Sequence, residues 1–103
     1  MNERRLKGLM GLCVRSGNAV FGEDGCGKAI SRGECGLLLL DSGASENTRK
    51  RYASQCGRKK IPLELLPEGL LEAATGRESM AMGIRRGPLL EQITGCLSED
   101  SLA

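Results

Sequence analysis

Four consecutive leucines, Leu37 to Leu40, stand between Gly36 and Asp41 with no polar residue among them. The run is far short of the roughly 20 apolar residues that a membrane span needs. A strand with one wet face would alternate apolar and polar residues instead. The run therefore reads as a central strand covered on both faces. Such a strand obliges the rest of the chain to supply cover above and below it, which means helices on both sides of a sheet.

The flanking sequence carries those helices. Residues 3–15 place Leu6, Leu9, Met10, Cys13 and Val14 at the three/four spacing of a one-faced helix. Arg4, Arg5, Lys7 and Arg15 fall on its other sides, and Ser16-Gly17-Asn18 ends it. Ala19-Val20-Phe21 is a short strand stopped by Gly22. Glu23 to Arg32 follows with Cys26, Ala29 and Ile30 at helical spacing and Gly33 as the stop. The two glycines inside this helix cost about 1 kcal/mol each relative to alanine, so local preference alone does not explain it. After the leucine run and a Ser42-Gly43-Ala44 loop, Ser45 can cap a helix over 46–57. Ile61 to Leu66 reads as a strand, with Pro62 pointing to an early or edge position. Glu68 to Thr75 is a short helix ending at Gly76, Met80 to Ile84 a last strand, and Pro88 opens a final helix with Leu89, Leu90, Ile93 and Leu97 on one face. The tail beyond about residue 98 is expected to fray. The alternation predicts an α/β chain, a three-layer α/β/α sandwich forming a single domain over 1–103.

Composition narrows the chemistry. Phe21 and Tyr52 are the only aromatic residues and there is no tryptophan, so the core must be aliphatic. The same scarcity argues against RNA-binding folds that stack bases on several exposed rings. Cys13, Cys26, Cys35, Cys56 and Cys96 are odd in number, widely spaced and free of any C-x-x-C pair. They read as small apolar core residues in a reducing compartment. With no signal peptide or spanning segment in sight, the cytoplasm is the expected location. Histidine is absent, which removes the usual general base and the commonest transition-metal ligand. No enzyme activity, metal or cofactor is therefore expected. The net charge is +2, from 15 Lys+Arg against 13 Asp+Glu, too small for a non-specific nucleic-acid coat protein. Any nucleic acid must be held at a local site.

Gly22-Glu23-Asp24-Gly25-Cys26-Gly27-Lys28-Ala29 nearly spells the phosphate loop G-x-x-x-x-G-K-[ST], and Leu37 to Asp41 imitates the strand whose acid supports magnesium. Three features oppose a nucleotide hydrolase. Ala29 has no oxygen to offer magnesium. Only eight residues separate Lys28 from Leu37, leaving little room for the usual helix and crossover. No arginine-finger or water-positioning motif is evident.

The ordered set of landmarks Gly17, Gly22, Lys28-Ala29-Ile30, Gly33, Leu37 to Asp41, Ala44 to Thr48, Ile61-Pro62-Leu63 and Ala73 to Glu78 resembles the ribosomal proteins L-seven-Ae and L-thirty-e. It is most similar to their small bacterial relatives of the YlxQ type, over about residues 4–95. The resemblance implies a mixed four-stranded sheet and binding of structured RNA, such as a kink-turn, in a ribosomal or ribosome-accessory setting. It implies neither DNA nor membrane as partner. Family members that bind kink-turns use a G-x-N-E-x-x-K segment opening the second helix, where Asn and Glu bond base edges and Lys adds a charge contact. Here that segment is Gly22, Glu23, Asp24, Gly25, Cys26, Gly27 and Lys28. Gly22 and Lys28 match; Asp24 stands for Asn and Gly25 for Glu. Asp24 keeps an acceptor and loses the donor, and Gly25 loses its contact entirely. A specific contact of this kind is worth roughly 1–3 kcal/mol.

The resemblance also implies a second contact, the loop Gly76-Arg77-Glu78-Ser79-Met80, lying beside the start of the second helix. There Arg77 offers a phosphate clamp or stacking plane, and Met80 a soft apolar surface for a flipped base. The basic runs Arg49-Lys50-Arg51 and Arg58-Lys59-Lys60 flank the third helix and are expected away from that end, as solvated faces. The departures at 24 and 25 leave an alternative, a protein-interaction module that keeps the scaffold without the RNA.

Overall fold

The leucine run is the middle of the molecule. In the computed structural model, which describes residues 1–99, the elements are α1 (Glu3–Arg15), β1 (Ala19–Phe21), α2 (Gly22–Ser31), β2 (Cys35–Asp41), α3 (Glu46–Lys59), β3 (Leu63–Leu66), α4 (Leu70–Thr75), β4 (Ala81–Arg85) and α5 (Pro88–Leu97). The four strands form one sheet in the order β1-β4-β2-β3. β2 runs parallel to β3 and antiparallel to β4, and β1 is antiparallel to β4, so the sheet is mixed.

Every residue of β2 is buried. Leu37 and Leu39 enter a core with Leu6, Met10 and Cys13 of α1, Leu71 of α4 and Ile93 of α5. Leu38 and Leu40 enter a second core with Cys26 and Ile30 of α2 and Tyr52 and Cys56 of α3. Burying a leucine side chain is worth roughly 1.5–3 kcal/mol, so one strand secures both helical layers. The expected α/β/α sandwich is the observed one. All five cysteines are buried and free. β3 is the edge strand that Pro62 indicated, and Ser45 caps α3 by accepting from the Thr48 N–H at 3.2 Å.

Several boundaries differ from expectation, each for a local reason. α3 continues to Lys59 because Lys60 adopts a left-handed conformation (φ 57°) and the Ile61 N–H returns to the Cys56 carbonyl at 2.9 Å. Ile61 thus belongs to the helix cap, and β3 begins at Leu63. α4 begins at Leu70, not Glu68, because Gly69 precedes it at φ 85°. β2 reaches back through Gly36 to Cys35, with an irregularity between Cys35 and Leu37. A side chain at Gly36 would run into Leu90 of α5. On α5 the fully buried residues are Ile93 and Cys96, while Leu89, Leu90 and Leu97 are partly buried. At the tail, the Ser98 N–H still bonds the Thr94 carbonyl at 3.2 Å. The rest of the expected frayed segment, from residue 100, lies outside the described residues.

Candidate nucleic-acid interface

β1 passes into α2 without a loop. Phe21 is extended, Gly22 takes φ 79°, and the helix has begun. A left-handed residue at this corner is accessible to glycine at little cost, which accounts for Gly22. No side chain caps α2, so its first N–H groups remain open, with Glu23 and Asp24 in the first turn. The phosphate-loop reading ends here. Gly22 to Lys28 is helix rather than loop, and Asp41 is buried with both carboxylate oxygens engaged. The Gly43 N–H donates to Oδ1 at 2.7 Å and the Gly69 N–H to Oδ2 at 2.9 Å. Asp41 ties two turns together and has no free face for magnesium.

The loop before β4 comes to this corner. Glu78, Ser79 and Met80 line an open groove of about 240 Å³ with Gly22, Glu23 and Tyr52. The backbone of the loop is fixed: the Asp41 N–H donates to the Met80 carbonyl at 2.7 Å, and the Ser79 hydroxyl donates to the Ala81 carbonyl at 2.9 Å. The Met80 side chain is half exposed, as an apolar surface for a ligand must be. β4 starts one residue later than expected, at Ala81. The Arg77 guanidinium lies 4.9 Å from the centroid of the Phe21 ring. Phe21 therefore supports Arg77 at the rim by a cation–π contact.

The remaining sequence-predicted residues lie on the outer face of α2. Asp24 and Lys28 line an adjoining depression with Gly27 and Gln55, and they approach each other at 3.9 Å. At 98% and 64% side-chain exposure this pair is weak. Gly25 is partly buried, and a Cβ there would meet only Val20 at 4.0 Å.

One expectation is overturned. The run Arg49-Lys50-Arg51 was placed away from this end, but Arg51 forms an ion pair with Glu23 at the groove. The cause is the alignment of two helices. Glu23 meets Arg51, Gly27 stands opposite Gln55, and Ser31 shares a depression with Lys59. Each step is four residues on both helices, so α2 and α3 run parallel and in register. Charges at the corner consequently balance, Glu23, Asp24 and Glu78 facing Lys28, Arg51 and Arg77. The corner is therefore not a predominantly acidic surface. Phe21, Arg51, Thr48 and Tyr52 were missed by sequence reasoning; Phe21 and Tyr52, as the two aromatic residues of the chain, carried the one available signal.

Tyr52 is buried at the groove wall and its hydroxyl has no hydrogen-bond partner. Burial pushes its phenol well above the ordinary range. Burial likewise raises the neighbouring Cys26 thiol to about 11, so both groups are neutral near pH 7. Among the described residues, no group of three or more Cys, Asp or Glu is placed to hold a metal ion. No helix there is long and apolar enough to cross a membrane.

The chain is 33% identical over 72 residues to the RNA-binding protein YlxQ of Bacillus subtilis, covering 69% of this chain and 72% of that protein. The chain belongs to the YlxQ family. YlxQ proteins are a bacterial branch of the L-seven-Ae proteins. A solved Bacillus halodurans protein, described as of unknown function, superposes on this YlxQ-type chain with a TM-score of 0.86 and 26% identity, covering 92% of this chain and 98% of that one. A Giardia lamblia 15.5kD RNA-binding protein has the same fold, with a TM-score of 0.72 and 15% identity over 91% of this chain and 82% of its own. No family model matches the sequence.

Proposed function

We propose that this YlxQ-family chain binds structured RNA at the corner where α2 starts, and that it acts by binding rather than by chemistry. The observation that carries this reading is the meeting of two segments distant in sequence. The open start of α2 and the loop Glu78–Met80 enclose one groove, with Met80 half exposed and the preceding Arg77 seated on Phe21. The groove admits an unpaired base, Met80 supplies an apolar surface to it, and Arg77 and Lys28 meet the adjoining phosphates. Gly22, Glu23, Asp24, Gly25, Lys28, Arg77, Glu78, Ser79 and Met80 are the proposed RNA-contacting residues. The relative's description as an RNA-binding protein supports the assignment. Asp24 and Gly25 in place of Asn and Glu favour a weakened kink-turn preference or a different structured RNA, with ribosomal RNA the leading source. The five reduced thiols fit a cytoplasmic setting.

Titration with a kink-turn RNA and with an unrelated duplex, over a range of salt, tests this. Selective binding to the kink-turn that falls at least tenfold in a Lys28→Ala, Arg77→Ala double variant is the expected result. Equal, weak binding to both RNAs that the substitutions leave unchanged would sink the assignment. Co-sedimentation of the chain with ribosomal subunits separates a ribosomal source from other RNAs.

A further inference from the structure

The parallel pair α2 and α3 encloses a second surface. Two depressions, of about 460 and 260 Å³, share Gly27, Ser31 and Gln55 and so form one continuous groove between the helices. It starts at Asp24 and Lys28 and ends at Arg58 and Lys59, with Arg32 on its α2 wall. Gly27 keeps the floor open, since even a Cβ there would stay 4.0 Å from the Gln55 amide nitrogen. From residue 24 to residue 32 the groove follows about 12 Å of helix, enough for roughly three nucleotides.

Charge is graded along it. At the α2 start, Asp24 faces Lys28 and Glu23 pairs with Arg51. At the far end, Arg32, Arg58 and Lys59 meet no carboxylate within ion-pair distance among the described residues, and Arg58 bonds only the Ser54 hydroxyl at 3.1 Å. Arg32 is the C-cap of α2, and Arg58 and Lys59 stand in the last turn of α3. Compensation of the helix dipoles does not exhaust these cations. Two helix C-termini present together about one negative charge against three positive ones. The groove is also long and open, the shape of a track for linked phosphates rather than a pocket for one small anion. On its floor the Gln55 carbonyl oxygen is buried and holds no hydrogen bond, so nothing fixes the orientation of that amide.

We propose that the α2–α3 groove carries the ribose–phosphate backbone of the RNA beyond the corner, with Arg32, Arg58 and Lys59 on phosphates and Gln55 turned to a ribose 2′-hydroxyl. The inference rests on the RNA reading above and extends it from Asp24 and Lys28 to Arg32, Gln55, Arg58 and Lys59, which are not assigned there. Bonding to the 2′-hydroxyl makes the groove selective for RNA over DNA.

The probe is a kink-turn RNA with single-stranded flanks on both arms, compared with the same RNA without flanks. The Arg32→Gln, Arg58→Gln, Lys59→Gln variant is expected to bind the flanked RNA at least tenfold more weakly. Its plot of log affinity against log salt should be shallower by about 2, the loss of three phosphate contacts. Gly27→Asp, which sets a carboxylate on the open floor without removing a cation, should weaken the flanked RNA similarly. In Gln55→Leu, replacing the flanks by DNA should no longer weaken binding. Wild-type affinity and salt slope in the triple variant would overturn the groove, and the corner would stand if Lys28→Ala, Arg77→Ala still abolished selectivity. Failure of the unsubstituted protein to bind either RNA would overturn both.

Discussion

At the scale of single residues, positions 24 and 25 decide how the corner reads RNA. Asp24 is exposed at the α2 start, and Gly25 leaves room for a side chain, with only Val20 in reach at 4.0 Å. Asp24→Asn with Gly25→Glu would restore the donor and the acceptor that the resemblance associates with base edges. The pair of changes leaves net charge unaltered, so a gain cannot come from bulk electrostatics. Two contacts at about 1–3 kcal/mol each predict at least tenfold tighter kink-turn binding. Competition against an unrelated duplex measures it; equal gains on both RNAs would refute the base-reading role. Asp41 shows the opposite case, a residue whose sequence context suggested chemistry and whose geometry is structural. Its two oxygens are spent on the Gly43 and Gly69 N–H groups. Backbone donors supplied by turns carry no mark in the side-chain sequence, so this role was not legible.

At the scale of elements, the seat of α2 depends on one close approach. Val20 of β1 lies between Gly25 of α2 and Gly83 of β4. A Cβ at Gly83 would stand 2.7 Å from Val20 Cγ2 and 3.3 Å from the Cys35 sulfur. Valine is stiff at χ1 and cannot easily turn aside. Gly83→Ala is expected to cost roughly 1–3 kcal/mol, read as a lower urea midpoint with an unchanged slope. An unchanged midpoint would mean that β1 yields freely. The glycines within α2, a puzzle of local propensity, find no steric reason in the fold: a Cβ would come no nearer than 4.0 Å to Val20 at Gly25 or to Gln55 at Gly27. What was legible at this scale followed local pattern: the double burial of Leu37 to Leu40, the edge position announced by Pro62 and the cap at Ser45. Pairing across elements left no such pattern. Nothing in the spacing of Arg49-Lys50-Arg51 says that Arg51 meets Glu23, because that contact follows from the parallel register of two helices.

At the scale of the whole molecule, a core short of aromatic rings is filled in part by thiols. Burial raises Cys26 and Cys56 from 9.0 to about 11 and pushes Cys13, Cys35 and Tyr52 upward as well. Their folded-state values exceed the unfolded ones, so their stabilisation is complete below about pH 9 and is lost as pH rises toward 11. Between those limits Cys26 and Cys56 each remove roughly 1.4 kcal/mol of stability per pH unit. The urea midpoint should be level up to pH 8 and fall steeply from pH 9 to 11, and Cys56→Ala should flatten that fall whatever its effect at pH 7. A midpoint independent of pH across that range would contradict the burial of the thiols as neutral groups.

The scarcity of rings has an optical consequence. Tyr52 is the only tyrosine, there is no tryptophan, and the ring lies buried in the wall of the groove at the α2 start. Emission excited near the tyrosine band thus arises from one point beside the proposed interface. The chain carries its own label there, and a ligand seated against Met80 can be followed by fluorescence without attaching a dye.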